Sequence, residues 1–255
     1  MNANAAPDVL THREWLVSLA SAPQTGTYVD LGCGRGVDLM LAAVKYPSQK
    51  LRFIGLDSQQ ESIEKAGQDV AKIDSRIEFQ VHDVNSGLPF ETASVDVVYS
   101  NNLLECLADR EAFVSEIARI LKPQGRLVMA HWDWDSQFFD SQDKGRVRRL
   151  VSAFADWQQA WMDHSDGWMG RRLWGLFAPG RLFEGSVEAR VMVNTEYAEP
   201  WYGHARAEDF KALVRRGLAS EEDCSRFLRE QEEFSDRDKY FYSITGFAYV
   251  GRRCA

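Results

Sequence analysis

Apolar positions along this chain fall into two alternating rhythms. Short apolar and β-branched runs of the strand type occur at Tyr28 to Leu31, Leu51 to Leu56, Ile77 to Val81, Val95 to Tyr99 and Arg126 to Trp132. Between them, apolar residues recur at helical spacing. An amphipathic helix is predicted over Asp8 to Ala20, ending before Pro23. A packed helix starts at Val37 and ends before Pro47, and Ser58 to Ile73 predicts a third. In Glu111 to Leu121, Ala112, Val114, Ile117, Ile120 and Leu121 fall at helical spacing, and Pro123-Gln124-Gly125 ends the helix. Strands alternating with helices at these intervals predict an α/β fold with a parallel, doubly wound sheet.

Past Trp132 the rhythm changes. Residues 134–185 show no strand pattern, and Leu150, Phe154, Trp157 and Trp161 recur as one stripe of a helix. Val187 to Tyr197 then reads as a strand, Glu208 to Arg216 and Glu221 to Glu233 as helices, and Tyr240 to Val250 as a last strand. We expect a single domain over 1–255, with 134–186 forming a helical, tryptophan-rich lid inserted within it. Seven of the eight tryptophans lie between Trp132 and Trp201, a density that suits either the inner wall of a lid or a small aromatic subcore holding the insertion together.

Composition removes several classes. The net charge is −8, which opposes non-specific binding to nucleic acid or to an anionic membrane. Arg146, Arg148 and Arg149 cluster, and a solvated helix face accounts for them. Cys33, Cys106, Cys224 and Cys254 are scattered without C-x-x-C spacing, so neither a structural zinc site nor a disulfide framework is expected. A reducing, cytoplasmic setting fits that usage. The N-terminal MNANAAPDVL lacks the basic and apolar regions of a signal peptide. No apolar run approaches the roughly 18 residues of a membrane span.

The chemistry begins at YVDLGCGRGVD, Tyr28 to Asp38. A strand, a glycine turn and a helix place free backbone N–H groups and a helix N-terminus against a ligand. The dinucleotide fingerprint G-x-G-x-x-G would need glycine at position 37, which is Val37. The spacing here is Gly32, Gly34, Gly36, with Asp30 two positions before. This segment resembles the first motif of class I S-adenosylmethionine-dependent methyltransferases. Ile120-Leu121-Lys122-Pro123-Gln124-Gly125 resembles the family's LKPGG turn into strand 5, and Ser100-Asn101-Asn102-Leu103-Leu104 its SNxLHH segment after strand 4. Here Glu105 and Cys106 stand where histidines are frequent. The resemblance covers about residues 26–133 and is greatest to the UbiE and type 11 small-molecule methyltransferases. It implies a Rossmann-like, seven-stranded sheet with its last strand antiparallel and a helical lid after strand 5.

By that resemblance S-adenosylmethionine is the cofactor, with S-adenosylhomocysteine as product. Asp30, Gly32, Cys33, Gly34 and Gly36 would form the turn that approaches it. Asp57, about twenty residues on with Ser58 beside it, suits ribose hydroxyls; the competing role is a helix N-cap, which Ser58 could take instead. Asp83 would contact adenine with Val84 against the ring, or simply hold a turn. Asn101 and Asn102 would line the methionine end. His131, Asp133 and Asp135 share one side of an extended chain; a metal site, a general base at His131 and a plain pocket wall compete. No metal is expected. The loop after strand 6 and the start of the last strand add Tyr202, His204 and Tyr242, which with His131 are the candidates to orient or deprotonate the nucleophile.

The reading is methyl transfer to an O, N or C nucleophile of a small, aromatic or apolar metabolite, with the segment 134–204 closing over it, and with neither nucleic acid nor membrane as partner. RNA or protein methylation, which would want a basic groove, is the first alternative. An NAD(P)-dependent oxidoreductase and a non-catalytic methyltransferase-like scaffold are the others. The absence of an N-P-P-Y tetrad counts against the nucleic-acid class.

Overall fold

A computed structural model describes residues 6–70, 72–162 and 166–255. Residues 1–5, position 71 of the expected third helix and 163–165 of the expected lid lie outside the described residues. In chain order the elements are α1 (Pro7–Leu19), β1 (Thr25–Leu31), α2 (Val37–Lys45), β2 (Lys50–Asp57), α3 (Gln60–Asp69), β3 (Ile77–Val81), β4 (Val95–Asn101) and α4 (Arg110–Ile120). There follow β5 (Leu121–Phe139), α5 (Lys144–Ala155), α6 (Met169–Phe177), β6 (Phe183–Asn194), α7 (Tyr202–Arg215), α8 (Glu221–Ser235) and β7 (Tyr242–Arg253).

The strands form one seven-stranded sheet in the order β3-β2-β1-β4-β5-β7-β6. The pairs β1–β2, β1–β4, β2–β3 and β4–β5 are parallel. The last strand is antiparallel to β5. Tyr242, at its start, donates its hydroxyl to Gln137 near the end of β5, whereas Arg253, at its end, reaches the Leu121 carbonyl where β5 begins. The sheet is therefore the Rossmann-like arrangement with a reversed last strand.

Contacts divide the chain into two compact units. The sheet unit comprises 13–131, 171–188 and 247–255. Its inner strands β1, β2 and β4 are mostly buried and carry near-continuous apolar runs, whereas the outer strand β3 is largely exposed. Tyr28, Leu39, Phe53, Val97, Tyr99 and Val128 are almost fully buried there. Burying each such side chain contributes about 1.5–3 kcal/mol. The Lys122–Gly125 turn is absorbed into β5 as a break in register opposite Val95 and Val97, with Gln124 at φ +63°. Lys122 ties that turn down by donating to both oxygens of Asp96, at 2.9 and 2.8 Å.

The helical unit comprises 1–12, 132–170 and 189–246. Phe139 sits at its centre, with ring centroids 5.1 Å from Phe227, 4.7 Å from Tyr242 and 5.8 Å from Phe210. The aromatic subcore is thus present. It is built mostly from Phe and Tyr, while Trp161 and Trp168 are exposed. Two expectations are corrected here. Residues 134–139 continue β5 instead of leaving the sheet, and β6 already begins at Phe183. The tryptophan stripe is helical only through Phe154, because α5 ends at Ala155; Trp157 packs on Phe154 from beyond the helix.

Candidate active site

The parallel strands β1 to β4 end at one edge of the sheet unit, and the loops leaving them carry most of the residues singled out above. After Leu31 the chain turns through Gly32, Gly34 and Gly36, at φ +73°, +51° and +75°. The backbone N–H groups of Gly32 and Cys33 donate to the Leu56 carbonyl at 2.8 and 3.0 Å, which anchors the turn to β2. The glycines differ in what a side chain would meet. A Cβ at Gly36 would lie 2.4 Å from the Phe79 ring, and one at Gly32 would lie 2.9 Å from Leu103. At Gly34 nothing lies within 4 Å. Gly36 is thus required by packing, while Gly34 leaves an open face over the turn.

Asp57 fixes that open residue. Its Oδ2 accepts the Gly34 N–H at 2.9 Å and its Oδ1 accepts the Gln59 N–H at 2.9 Å. Gln59 itself is the N-cap of α3, without a side-chain bond, so Ser58 does not take the capping role considered above. A carboxylate offers about four lone-pair sites, so Asp57 retains capacity for hydroxyl donors.

Beneath the turn lies a buried charged cluster. Asp30 and Asp38 are 2% and 5% exposed. Arg13 Nη1 is 2.8 Å from Asp38 Oδ2, and Asn101 Nδ2 donates to the same oxygen at 3.4 Å. Asp30 Oδ2 is buried without a hydrogen-bond partner among the described residues. Burial pushes the Asp30 carboxyl well above the usual carboxylate range; Asp38 adds to this and Arg13 opposes it. Burial likewise raises the Cys33 thiol, with Asp30 adding to it, so this residue is a packing group and no thiolate.

Asp83 is exposed and accepts the Asn85 N–H at 2.9 Å, capping the short turn Val84–Ser86. The turn role is therefore real, and it engages one oxygen. Asn85 stitches this loop to the one after β4: its Nδ2 donates to the Cys106 carbonyl at 3.1 Å, and its Oδ1 accepts the Ala108 N–H at 3.0 Å. Asn102, at φ +60°, turns the chain out of β4, with its N–H on the Ala130 carbonyl at 3.0 Å. That turn leads to Glu105, which is 5% exposed, with Oε2 3.7 Å from Nε2 of the equally buried His131.

The remaining candidates lie in the helical unit. Tyr202 and Tyr242 are part of its buried core, and Arg206 lies 4.7 Å over the Tyr202 ring. Burial pushes the Tyr242 phenol well above its ordinary value, and Tyr202 adds to this, so it serves as a neutral hydrogen-bond donor to Gln137. His204 is half-buried, its ring 4.7 Å from that of Tyr197. Asp133 is buried, and Asp135 accepts the Trp168 indole N–H at 3.0 Å. Among the described residues no group of three or more His, Cys, Asp or Glu side chains is placed to hold a metal ion.

Sequence reasoning missed Arg13, Asp38, Asn85 and Glu105 as parts of this edge. Asp38 was in view as the end of the glycine motif, and Glu105 as a departure from the family pattern. Arg13 gave no signal, because a charged residue on an amphipathic helix reads as solvated.

The fold and this strand edge define a methyltransferase of the Rossmann-like class. Residues 24–182 match the family model described as a methyltransferase domain, and the chain belongs to that family, whose cofactor is S-adenosylmethionine. The chain is 39% identical over 115 residues to an uncharacterised 37.1 kDa protein in transposon TN4556 of Streptomyces fradiae, covering 45% of this chain and 32% of that one. It is 34% identical over 105 residues to an arsenite methyltransferase of Halobacterium salinarum, covering 41% of this chain and 26% of the relative. The chain thus spans about a third or less of either relative. A solved structure of geranyl diphosphate C-methyltransferase from Streptomyces coelicolor, holding S-adenosylhomocysteine, superposes with a TM-score of 0.55 at 17% identity over 95% of this chain and 80% of that one. The residues present suit an adenosyl ligand: an open glycine, a strand-end carboxylate with spare lone pairs, and a buried carboxylate oxygen awaiting a donor.

Proposed function

We propose that this chain transfers a methyl group from S-adenosylmethionine to an O, N or C nucleophile of a small, aromatic or apolar metabolite, in the cytoplasm. The observation that carries the reading is the open face of Gly34, with its N–H held by Asp57 at 2.9 Å. The cofactor supplies a methyl already activated by the sulfonium charge. What remains for the protein is alignment, exclusion of water and removal of a proton where the nucleophile carries one.

In this reading Gly32, Cys33, Gly34 and Gly36 let the backbone approach the ligand, and Asp57 accepts from ribose hydroxyls. Asp83 uses its remaining oxygen toward the adenine amino group, with Val84 against the ring. Asp30, Asn101 and Asn102 face the methionine end, where a ligand ammonium would find a partner in Asp30. His131 acts as general base, its imidazole taking the proton of the nucleophile. Two things favour a small acceptor: the net charge of −8, and a relative named for arsenite. The preference for an aromatic or apolar one rests on the aromatic side chains of the helical unit.

Calorimetry tests the cofactor: S-adenosylhomocysteine should bind and NAD should not. Heat from NAD alone would sink the reading. The acceptor is found by measuring S-adenosylhomocysteine release across a metabolite panel, and His131→Asn should then lower kcat at least tenfold.

A further inference from the structure

Strand β6 ends the sheet, with β7 on one side and no strand on the other among the described residues. The opposite edge is blunted: β3 is only 5 residues long, and its Glu78 pairs with Arg52 of β2. Strand β6 is 12 residues long and carries no proline, so its outer row of N–H and C=O groups is open to pairing.

The two faces of β6 differ. On one, Met192 and Asn194 are buried, and Arg190 and Asn194 reach α1 by donating to the Thr11 carbonyl at 3.1 Å and to Asp8 at 2.7 Å. The other presents Val187, Ala189, Val191 and Val193, of which Val191 and Val193 are 56% and 50% exposed. An apolar face on a long open edge is a site of association.

We infer that β6 pairs edge to edge with β6 of a second copy of this chain, antiparallel and about a two-fold axis through Ala189. The register follows from the sequence. Opposite residues of an antiparallel pair point to the same face, so the axis passes through a residue and not between two. Axes at Glu188 and at Ala189 pair the greatest length of strand. An axis at Glu188 would set two carboxylates against each other, which opposes pairing. At Ala189 it sets Glu188 against the partner's Arg190 twice, and Val187 against the partner's Val191 twice. Glu188 is exposed, and Arg190 engages Thr11 through one nitrogen only. The valines of both copies then lie side by side on one face. This pairing is independent of the cofactor and of methyl transfer.

Sedimentation velocity of the purified chain over a range of concentrations tests it. The expected result is a dimer in the wild type. Glu188→Arg and Arg190→Glu should each raise its dissociation constant about tenfold, and the double exchange should return it to within about threefold of wild type, because opposite charges again face one another. Melting curves establish that each variant folds. Under mild oxidation Ala189→Cys should cross-link two copies, since only at the axis does a residue face its own copy within disulfide reach; the wild type and Glu188→Cys should not. A wild type that stays monomeric up to its solubility limit overturns the proposal and needs no variant. A dimer indifferent to all three charge variants overturns it too, since it would form through another surface. A double exchange no better than either single, or a cross-link through Glu188→Cys in place of Ala189→Cys, refutes the register.

Discussion

Alanine at Gly34 and at Gly36 should separate ligand approach from packing within one turn. Both glycines have positive φ, at +51° and +75°, so a side chain at either costs about 1–2 kcal/mol in backbone strain. At Gly34 that is the whole cost, since no atom lies within 4 Å of the added methyl. For a chain of this size, 1 kcal/mol lowers Tm by about 2–4 °C, so Gly34→Ala should lose about 2–8 °C. At Gly36 the methyl would stand 2.4 Å from the Phe79 ring, and overpacking adds about 1–3 kcal/mol. Gly36→Ala should therefore lose more stability. Affinity should divide the other way per unit of stability lost. The Gly34 methyl occupies the face a ligand would approach, and a loss of 1.4 kcal/mol there is tenfold in Kd. Calorimetric titration with S-adenosylhomocysteine and a melting curve on each variant make the comparison. If Gly34→Ala binds S-adenosylhomocysteine like the wild type, the open face is not a ligand surface and the cofactor reading loses its main support.

Three further outcomes follow from the same edge. Asp57→Ala should weaken S-adenosylhomocysteine binding by about 1.5–3 kcal/mol and, because the residue also holds the Gly34 and Gln59 N–H groups, should lower Tm by several degrees; calorimetry and melting curves should find both, and full affinity with a lowered Tm would leave Asp57 as a loop brace only. Asp30 is raised in the folded state, so its stabilising share is complete below the unfolded value and is lost as pH rises through the folded one; Asp30→Asn should raise Tm relative to wild type by more at pH 8 than at pH 4, and weaken cofactor binding, and a variant less stable than wild type at pH 8 would contradict this. Activity should survive EDTA, and loss restored by magnesium or zinc would promote His131, Asp133 and Asp135 to ligands.

How much of this was legible in the sequence depends on the kind of signal. The strands β1, β2 and β4 were readable as buried apolar runs and β3 by its alternation of Ile77, Phe79 and Val81 with Glu78 and Gln80, and the glycine turn because positive φ admits few other residues. The continuation of β5 was half-legible. His131, Asp133, Asp135, Gln137 and Phe139 alternate with Trp132, Trp134, Ser136 and Phe138, a period of two; polar members obscured it where a run of apolar residues was expected. Arg13 was invisible for a different reason. Its partner Asp38 is 25 positions away, and no local pattern marks a helix arginine that turns inward to a buried carboxylate. Glu105 was noticed only as a mismatch, since the 3.7 Å approach to His131 depends on the path of the chain after Asn102.

The two units also differ in what fixes their residues, and this bears on where acceptor choice resides. In the sheet unit the turn glycines, Asp57 and Asp30 are the residues proposed to meet the cofactor, and the family match over 24–182 spans them. The match stops before β6, α7, α8 and β7, so Tyr202, His204 and Tyr242 lie outside it. In the helical unit the core is held by aromatic packing, as between Phe139 and Phe227, and by Glu230, which accepts from the Ser141 hydroxyl at 2.6 Å and the Gln142 N–H at 2.8 Å. Aromatic packing tolerates volume-conserving exchange far better than a glycine at positive φ tolerates a side chain. Volume-conserving substitutions in this aromatic core are therefore expected to leave the turn glycines and cofactor binding undisturbed. Exchanging Tyr202 for Phe keeps the ring beneath Arg206 and removes only the hydroxyl. It should leave S-adenosylhomocysteine affinity within twofold, and an effect on the acceptor's KM would place Tyr202 among the residues that choose it.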